Sequence, residues 1–282
     1  MRRTTDVDYV VANDLADALE MRAAGRTVLA GGTDVYPAHV GRPFEGPLVD
    51  IGGLEELRGI AETADGYRIG ALTRWADVAA ADLPSGFDGL RAAAREVGSV
   101  QVQAAGTIGG NLCNASPAAD GVPPLLTLDA SVELASPRGT RVLPVEAFLT
   151  GYRETALAPD ELLAAVLVPP AMAQARAAFG KLGLRRYLVI SIVMAAATIA
   201  AGPDGHIERA RVAVGACSPV ARRLPELEAD LVGRSLDEDL GALARPEHLS
   251  ALAPIDDVRA TAGYRRGAAL TLVRRVLSEG AR

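Results

Sequence analysis

Apolar residues at Leu15, Ala18 and Leu19 repeat at helical spacing and Gly25 follows them, which predicts a short helix over 14–24 that stops at a glycine. The next apolar residues are contiguous. Thr27 to Ala30 and Leu48 to Ile51 read as short β-prone runs, the first feeding into Gly31-Gly32 and the second closing on Gly52-Gly53. Tyr67 to Leu72 alternates as a strand does, and Trp75 to Ala81 and Leu90 to Val97 read as helices. Gly98 to Ala105 reads as the connection into a second glycine-rich turn. Pro123-Pro124 opens an apolar helix through Leu128, with proline where a missing N–H costs least. Ser131 to Ala135 and Arg141 to Val145 predict two strands about the Pro137-Arg138-Gly139 turn.

Pro169-Pro170 is the best candidate for a linker. Beyond it, Val189 to Ile199 and Arg209 to Val214 flank the turn Gly202-Pro-Asp-Gly205 and read as a hairpin. The remainder is expected to be helical, over Leu224 to Val232 and Asp256 to Leu277. Strands and helices interleave without internal repeats, so the expected class is α+β in two domains, residues 1–170 and 171–282.

Composition narrows the function. Of 282 residues, 49% are hydrophobic but only 4% aromatic, so the core must be built from Ala, Val and Leu. A net charge of −6 argues against a nucleic-acid surface. Two cysteines, Cys113 and Cys217, are too few for an iron–sulfur cluster held by this chain alone, and with neither a CxxC nor clustered histidines they argue against a structural zinc. His39, His206 and His248 are scattered and read as surface or turn residues. Arg2-Arg3 is not followed by an apolar stretch, and the longest apolar run, Tyr187 to Ala201, is too short to span a bilayer. The expectation is a soluble cytoplasmic protein with no metal site of its own.

Two turns stand out chemically, Ala30-Gly31-Gly32-Thr33-Asp34 and Gly106-Thr107-Ile108-Gly109-Gly110-Asn111. Glycine admits close backbone approach to a ligand, and successive turn amides can form a concave anion nest. Two such turns could wrap a pyrophosphate from both sides. Taken singly, each reads first as an ordinary tight surface turn. Neither fits the dinucleotide fingerprint or the P-loop pattern.

The stretch from Gly106 to Asp120, GTIGGNLCNASPAAD, closely resembles the flavin (medium) subunit of the molybdenum hydroxylases, the xanthine dehydrogenase and carbon monoxide dehydrogenase family. The resemblance covers nearly the whole chain. Ala30 to Asp34 resembles the family's first FAD loop and Thr107 to Asn111 its second. Val145 to Arg153, Asp160 to Leu163 before Pro169-Pro170, Lys181 with Arg185-Arg186, and Asp257 to Arg265 follow in the family's order. The fold it implies is a vanillyl-alcohol-oxidase-type (PCMH-type) FAD-binding domain followed by a smaller α+β domain of the CO dehydrogenase flavoprotein type.

The resemblance implies non-covalent FAD, its diphosphate held by Gly31, Gly32, Thr33 and Asp34, with Leu29, Ala30 and Val35 flanking, and by Thr107, Gly109, Gly110 and Asn111. Phosphate wants donors and no added negative charge, so the Asp34 carboxylate should point elsewhere. Asp120 would accept from a ribityl or ribose hydroxyl, although locally it reads as well as an N-cap. Leu163 or its neighbour would pack on the isoalloxazine. Lys181 would stand near the flavin ring and favour its reduced anion, although locally it is an ordinary surface lysine. Two departures from the family pattern stand out. Gln103-Ala104-Ala105 replaces an Arg-Asn pair common in relatives. Tyr187-Leu188-Val189 follows Arg185-Arg186 where many carry a small residue and an Asp, which leaves Tyr187 open between core packing and covering the flavin.

As a subunit of such an enzyme, the chain would take electrons from [2Fe-2S] clusters of a small partner and pass them to NAD or another acceptor. A large partner would carry molybdopterin, and the assembly would be a dimer of heterotrimers with an exposed apolar or mixed docking patch. Two other readings remain open: a free-standing FAD-dependent oxidoreductase of the same fold, and an FAD-binding assembly factor or sensor.

Overall fold

The computed structural model describes residues 8–42, 44–186 and 188–280. The chain begins with β1 (Tyr9–Val11), α1 (Leu15–Ala23), β2 (Thr27–Leu29), α2 (Val35–Ala38) and β3 (Leu48–Asp50). These strands form a parallel sheet in the order β1-β3-β2. Helix α1 carries the chain from β1 to β2, which lie parallel on either side of β3. Asp14 caps it by accepting from the Asp17 N–H at 2.8 Å, and Ala18 and Leu19 face the sheet core with Val49 and Ile51.

A second lobe follows: β4 (Ile60–Thr63), β5 (Gly66–Gly70), α3 (Trp75–Ala80), α4 (Asp88–Glu96), α5 (Val100–Ala105), α6 (Ile108–Asn114), α7 (Val122–Thr127), β6 (Ser131–Ser136) and β7 (Gly139–Pro144). Three short elements, α8 (Val145–Phe148), β8 (Leu149–Gly151) and β9 (Glu154–Thr155), lead to β10 (Leu162–Val168). The sheet order is β4-β5-β10-β6-β7, all antiparallel. Strand β10 is central and buried on both faces, which explains a sequence, LLAAVLV, with no polar alternation.

The chain then forms α9 (Pro170–Ala173), β11 (Arg176–Leu182), β12 (Val193–Ala201), β13 (Ile207–Gly215), β14 (Arg222–Arg223), α10 (Pro225–Leu231), α11 (Leu240–Leu243) and α12 (Ala262–Gly280). The four strands pair in sequence order as an antiparallel sheet. One face carries α12, while α7 and α4 of the preceding lobe pack on the sheet from the other side. The run of alanines in β12, Ala195-Ala196-Ala197, lets helices approach from both sides. Thr198 Oγ1 donates to Thr127 Oγ1 at 2.9 Å across this buried contact.

Several expectations need correction. Residues 100–105 are helical, with Ser99 as N-cap. The second glycine turn is the first turn of a helix. Pro170 starts one helical turn of its own beyond Pro169. The last helix begins at Ala262, not Asp256, because the Asp257 carboxylate accepts from the Arg259 and Ala260 N–H groups and closes a turn there. His248 is buried: Nδ1 accepts from the Arg245 N–H and Nε2 lies 3.2 Å from Asp230 Oδ2, so it braces a turn. Among the described residues no helix is long and apolar enough to cross a membrane. The reading of Tyr187, like that of Arg2-Arg3, lies outside the described residues.

Candidate functional site

Strand β2 delivers the chain into the first glycine loop, and α2 leaves it. Gly32 sits at φ +67°, a conformation natural to glycine. The N–H groups of Gly31, Gly32, Thr33 and Asp34 donate to no acceptor among the described residues. Four consecutive free amides on a bent backbone are what an anion nest requires.

The second loop differs from the sequence-based expectation. The Ile108 N–H donates to Thr73 O, Gly109 to Ala71 O and Asn111 to Thr107 O, while Gly110 donates to Thr107 Oγ1 at 3.0 Å. These amides are spent on building the loop. Thr107 Oγ1 accepts from Gly110, so the hydroxyl proton is free to donate outward. The Asn111 side chain lines the cavity, and its Oδ1 is buried without a partner. Such an atom calls for a ligand hydroxyl or N–H.

The two loops face one another across a cavity of about 430 Å³. Ala30 to Val35, Thr107, Gly109, Gly110, Asn111 and Leu163 line it. Leu29 does not: along a strand neighbours face opposite ways, so Val28 lines the cavity and Leu29 is buried in the core. Sequence reasoning missed Arg22, at the end of α1, together with the apolar wall of Val28, Ile51, Leu72 and Leu162 and the thiol-bearing Cys113. These residues carry no local signal, because only the packing of the two lobes brings them together.

The Asp34 carboxylate turns away from the free amides. Its Oδ2 takes a hydrogen bond from Arg153 Nη1 at 3.2 Å, and Arg153 Nη1 also donates to Asn114 Oδ1 at 2.7 Å. The negative charge is therefore matched by a guanidinium at the lip.

Asp120 and Lys181 do not line this cavity. Lys181 Nζ donates to Asp120 Oδ2 at 2.6 Å and to Glu96 O at 3.0 Å, and Ser191 Oγ donates to Asp120 Oδ1 at 2.6 Å. Burial pushes the Asp120 carboxyl above its ordinary value, against the opposing pull of Lys181 and Ser191. The N-cap position of α7 belongs to Gly121, so the capping alternative for Asp120 does not hold. The pair stands just behind the wall, since Val97 follows Glu96 and Gly121 approaches Asn111 and Trp75.

The chemistry of these donors fits a pyrophosphate on a cofactor with sugar hydroxyls. Free amides and a hydroxyl proton are offered, the nearby carboxylate is neutralised, and Asn111 Oδ1, buried beside Gly121, has no partner. The family model described as "FAD binding domain in molybdopterin dehydrogenase" matches residues 5–171. This chain belongs to that family. The "CO dehydrogenase flavoprotein C-terminal domain" matches residues 177–280, so the chain pairs an FAD-binding domain with that C-terminal domain.

The chain is 32% identical over 277 residues to the xanthine dehydrogenase FAD-binding subunit of Escherichia coli O157:H7, covering 96% of this chain and 94% of that one. It is 29% identical over 255 residues to the carbon monoxide dehydrogenase medium chain of Hydrogenophaga pseudoflava, covering 89% and 88%. Its fold superposes on a chain of reconstituted CO dehydrogenase from Oligotropha carboxidovorans with a TM-score of 0.87 at 27% identity, covering 98% and 97%. The family is one of dehydrogenase subunits, and the cofactor of its N-terminal domain is FAD.

Proposed function

We propose that this chain is the FAD-carrying electron-transfer subunit of a cytoplasmic molybdenum hydroxylase, with the FAD-binding domain ending at residue 170 and the C-terminal domain starting at 171. The observation that carries this reading is the facing pair of loops, with free amides at 31–34 and the Thr107 hydroxyl and Asn111 side chain opposite. When bound, FAD supplies the means to accept two electrons and release them singly or in pairs.

The chain's own residues bind and orient. Gly31 to Asp34 and Thr107 with Asn111 would hold the diphosphate non-covalently, and Leu163 would offer an apolar face. Arg153 keeps Asp34 from repelling phosphate. Asp120 and Lys181 would act from behind the wall as one paired unit, not as two separate ligands.

In this reading electrons arrive from [2Fe-2S] clusters of a small partner and leave to NAD or another acceptor, while a large molybdopterin partner acts on the organic substrate. The relatives' printed names, an FAD-binding subunit and a medium chain, support a place in such a complex, and the chain spans nearly their full length. Among the described residues, no group of three or more His, Cys, Asp or Glu side chains could hold a metal ion. Leu184, Leu188 and Ile190, exposed together on the β11–β12 connection, suit a partner surface. A dimer of heterotrimers is the assembly we propose.

The test is purification from the native source. This reading expects two co-purifying partners, and an isolated chain whose FAD is bleached by dithionite and released by acid. Turnover of a purine, N-heterocycle, aldehyde or carbon monoxide by the pure chain alone would favour the free-standing oxidoreductase instead.

A further inference from the structure

Lys181 and Ser191 are the two ends of one connection. Lys181 lies at the close of β11, and Ser191 stands two residues before β12 begins. Both donate to the same carboxylate, Lys181 Nζ to Oδ2 and Ser191 Oγ to Oδ1 of Asp120, each at 2.6 Å. Asp120 belongs to the preceding lobe, in the turn that enters α7. All three side chains are buried: Asp120 is 6% exposed and Ser191 fully enclosed, and the Lys181 side chain is 6% exposed.

Between these ends the chain is of the opposite character. Leu184, Leu188 and Ile190 are 67%, 55% and 59% exposed, and Leu188 adopts φ +53°. Arg185 donates to Leu188 O, so the connection is braced within itself. Its neck is closed by the Ile192 N–H to Leu182 O at 2.8 Å, and Arg265 Nη1 donates to Ile192 O at 2.6 Å. Those contacts all lie within the C-terminal domain. They close the connection on itself, and its two ends meet the FAD-binding domain through the bond from Lys181 Nζ to Glu96 O and through Asp120.

We propose that Asp120 is a positioning residue, a staple that fixes both ends of the β11–β12 connection to the FAD-binding domain through Lys181 and Ser191. A carboxylate suits this task better than an apolar contact. Its two oxygens accept from two donors at once in a fixed plane, whereas an apolar contact has no such directionality. Buried ion pairs add little net stability over apolar packing, and their best-attested use is to specify one arrangement. Here the arrangement specified is the placement of an exposed apolar segment, and the staple operates whether or not FAD is bound.

The inference goes beyond the FAD reading and is tested separately from it. Hydrogen–deuterium exchange is followed by mass spectrometry on the full chain, both FAD-loaded and flavin-stripped, for wild type, Asp120→Asn and Ser191→Ala. The isosteric Asn keeps an acceptor for Ser191 but abolishes the ion pair, and Ser191→Ala removes one arm with little change in volume. The staple predicts at least tenfold faster exchange of the Ile192 N–H, whose bond to Leu182 O closes the neck between the stapled ends, for Asp120→Asn, and a smaller increase there for Ser191→Ala. Peptides from the centre of β12 should be unchanged, and the flavin-stripped protein should respond in the same way.

Unchanged exchange of the Ile192 N–H in both variants would overturn the proposal, as would an increase spread evenly over β12 and α7. If Asp120→Asn does not fold, Ser191→Ala decides the matter by the same criterion. Loss of FAD from Asp120→Asn with no change in exchange would also overturn the staple, while leaving the FAD reading intact.

Discussion

A Cβ atom placed on Gly31 would stand 2.0 Å from the carbonyl oxygen of Ala105. The two glycine loops thus meet through bare backbone, and the free amides of the first are held opposite the Thr107 hydroxyl by that contact. Gly31→Ala forces the loops apart. Overpacking of this kind costs about 1–3 kcal/mol. The expected result is a lower thermal midpoint and at least tenfold weaker FAD binding in a fluorescence titration. Wild-type affinity would mean that the contact does not set the spacing of the loops.

Arg153 matters for charge more than for stability. Its pair with Asp34 is about half exposed on both sides, so Arg153→Ala should change unfolding free energy by less than about 1 kcal/mol. Without it, the Asp34 charge stands uncompensated within reach of the diphosphate's field. FAD binding should weaken roughly fivefold, about 1 kcal/mol, and the loss should shrink at high salt. Equal affinity at low and high salt in both proteins would contradict this role.

The Lys181–Asp120 pairing changes what Lys181→Met should do. A free cation beside the flavin would lower the potential on removal and leave the fold intact. Here, removal strands a buried carboxylate, a change that typically costs about 3–5 kcal/mol. Chemical denaturation should show that loss in Lys181→Met, and Lys181→Met with Asp120→Leu should recover much of it. A lowered flavin potential at undiminished stability would restore the independent-cation view.

Glu161 precedes two cavity-lining leucines and is expected to contribute to the acid sensitivity of the fold. Its carboxylate accepts from Arg141 Nε at 2.6 Å and Nη2 at 2.9 Å and from the Ala158 N–H at 2.8 Å. The hydrogen bonds from Arg141, above all, hold its pKa below the ordinary 4.5. A depressed folded value means stability that is present above pH 4.5 and lost as pH falls through the folded pKa. Glu161→Gln should therefore be less stable than wild type at pH 7, with the gap closing below about pH 4.5. A gap that stays constant in thermal melts across that range would refute the assignment.

Local chemistry made much of this legible. Gly25 after a helical repeat, Pro123-Pro124 at a helix start and alternation over Tyr67 to Leu72 all mark elements that formed nearly where expected. The two glycine turns were legible as candidate ligand turns because Gly, Thr and Asn carry their geometry in their identity. What was hidden is tertiary. Asn111 and Gly110 looked like equal amide donors to the Gly31 loop, but their amides close a helix turn onto Thr107. Arg153 as partner of Asp34, and Ser191 as partner of Asp120, depend on contacts between distant segments that no spacing encodes. Val28, Ile51 and Leu72, which form the apolar wall, were legible only as members of β-prone runs for the same reason.

The central claim, a diphosphate held between the two loops, is tested most directly by calorimetric titration of flavin-stripped wild type and Gly110→Asp with FAD. A Cβ at Gly110 would lie 2.9 Å from Thr107 Oγ1, and the added carboxylate would meet phosphate at the cavity face. The account predicts one FAD per wild-type chain, competition by ADP, and no measurable binding to Gly110→Asp with an unchanged circular dichroism spectrum. Binding of FAD to Gly110→Asp with wild-type affinity and stoichiometry would contradict it.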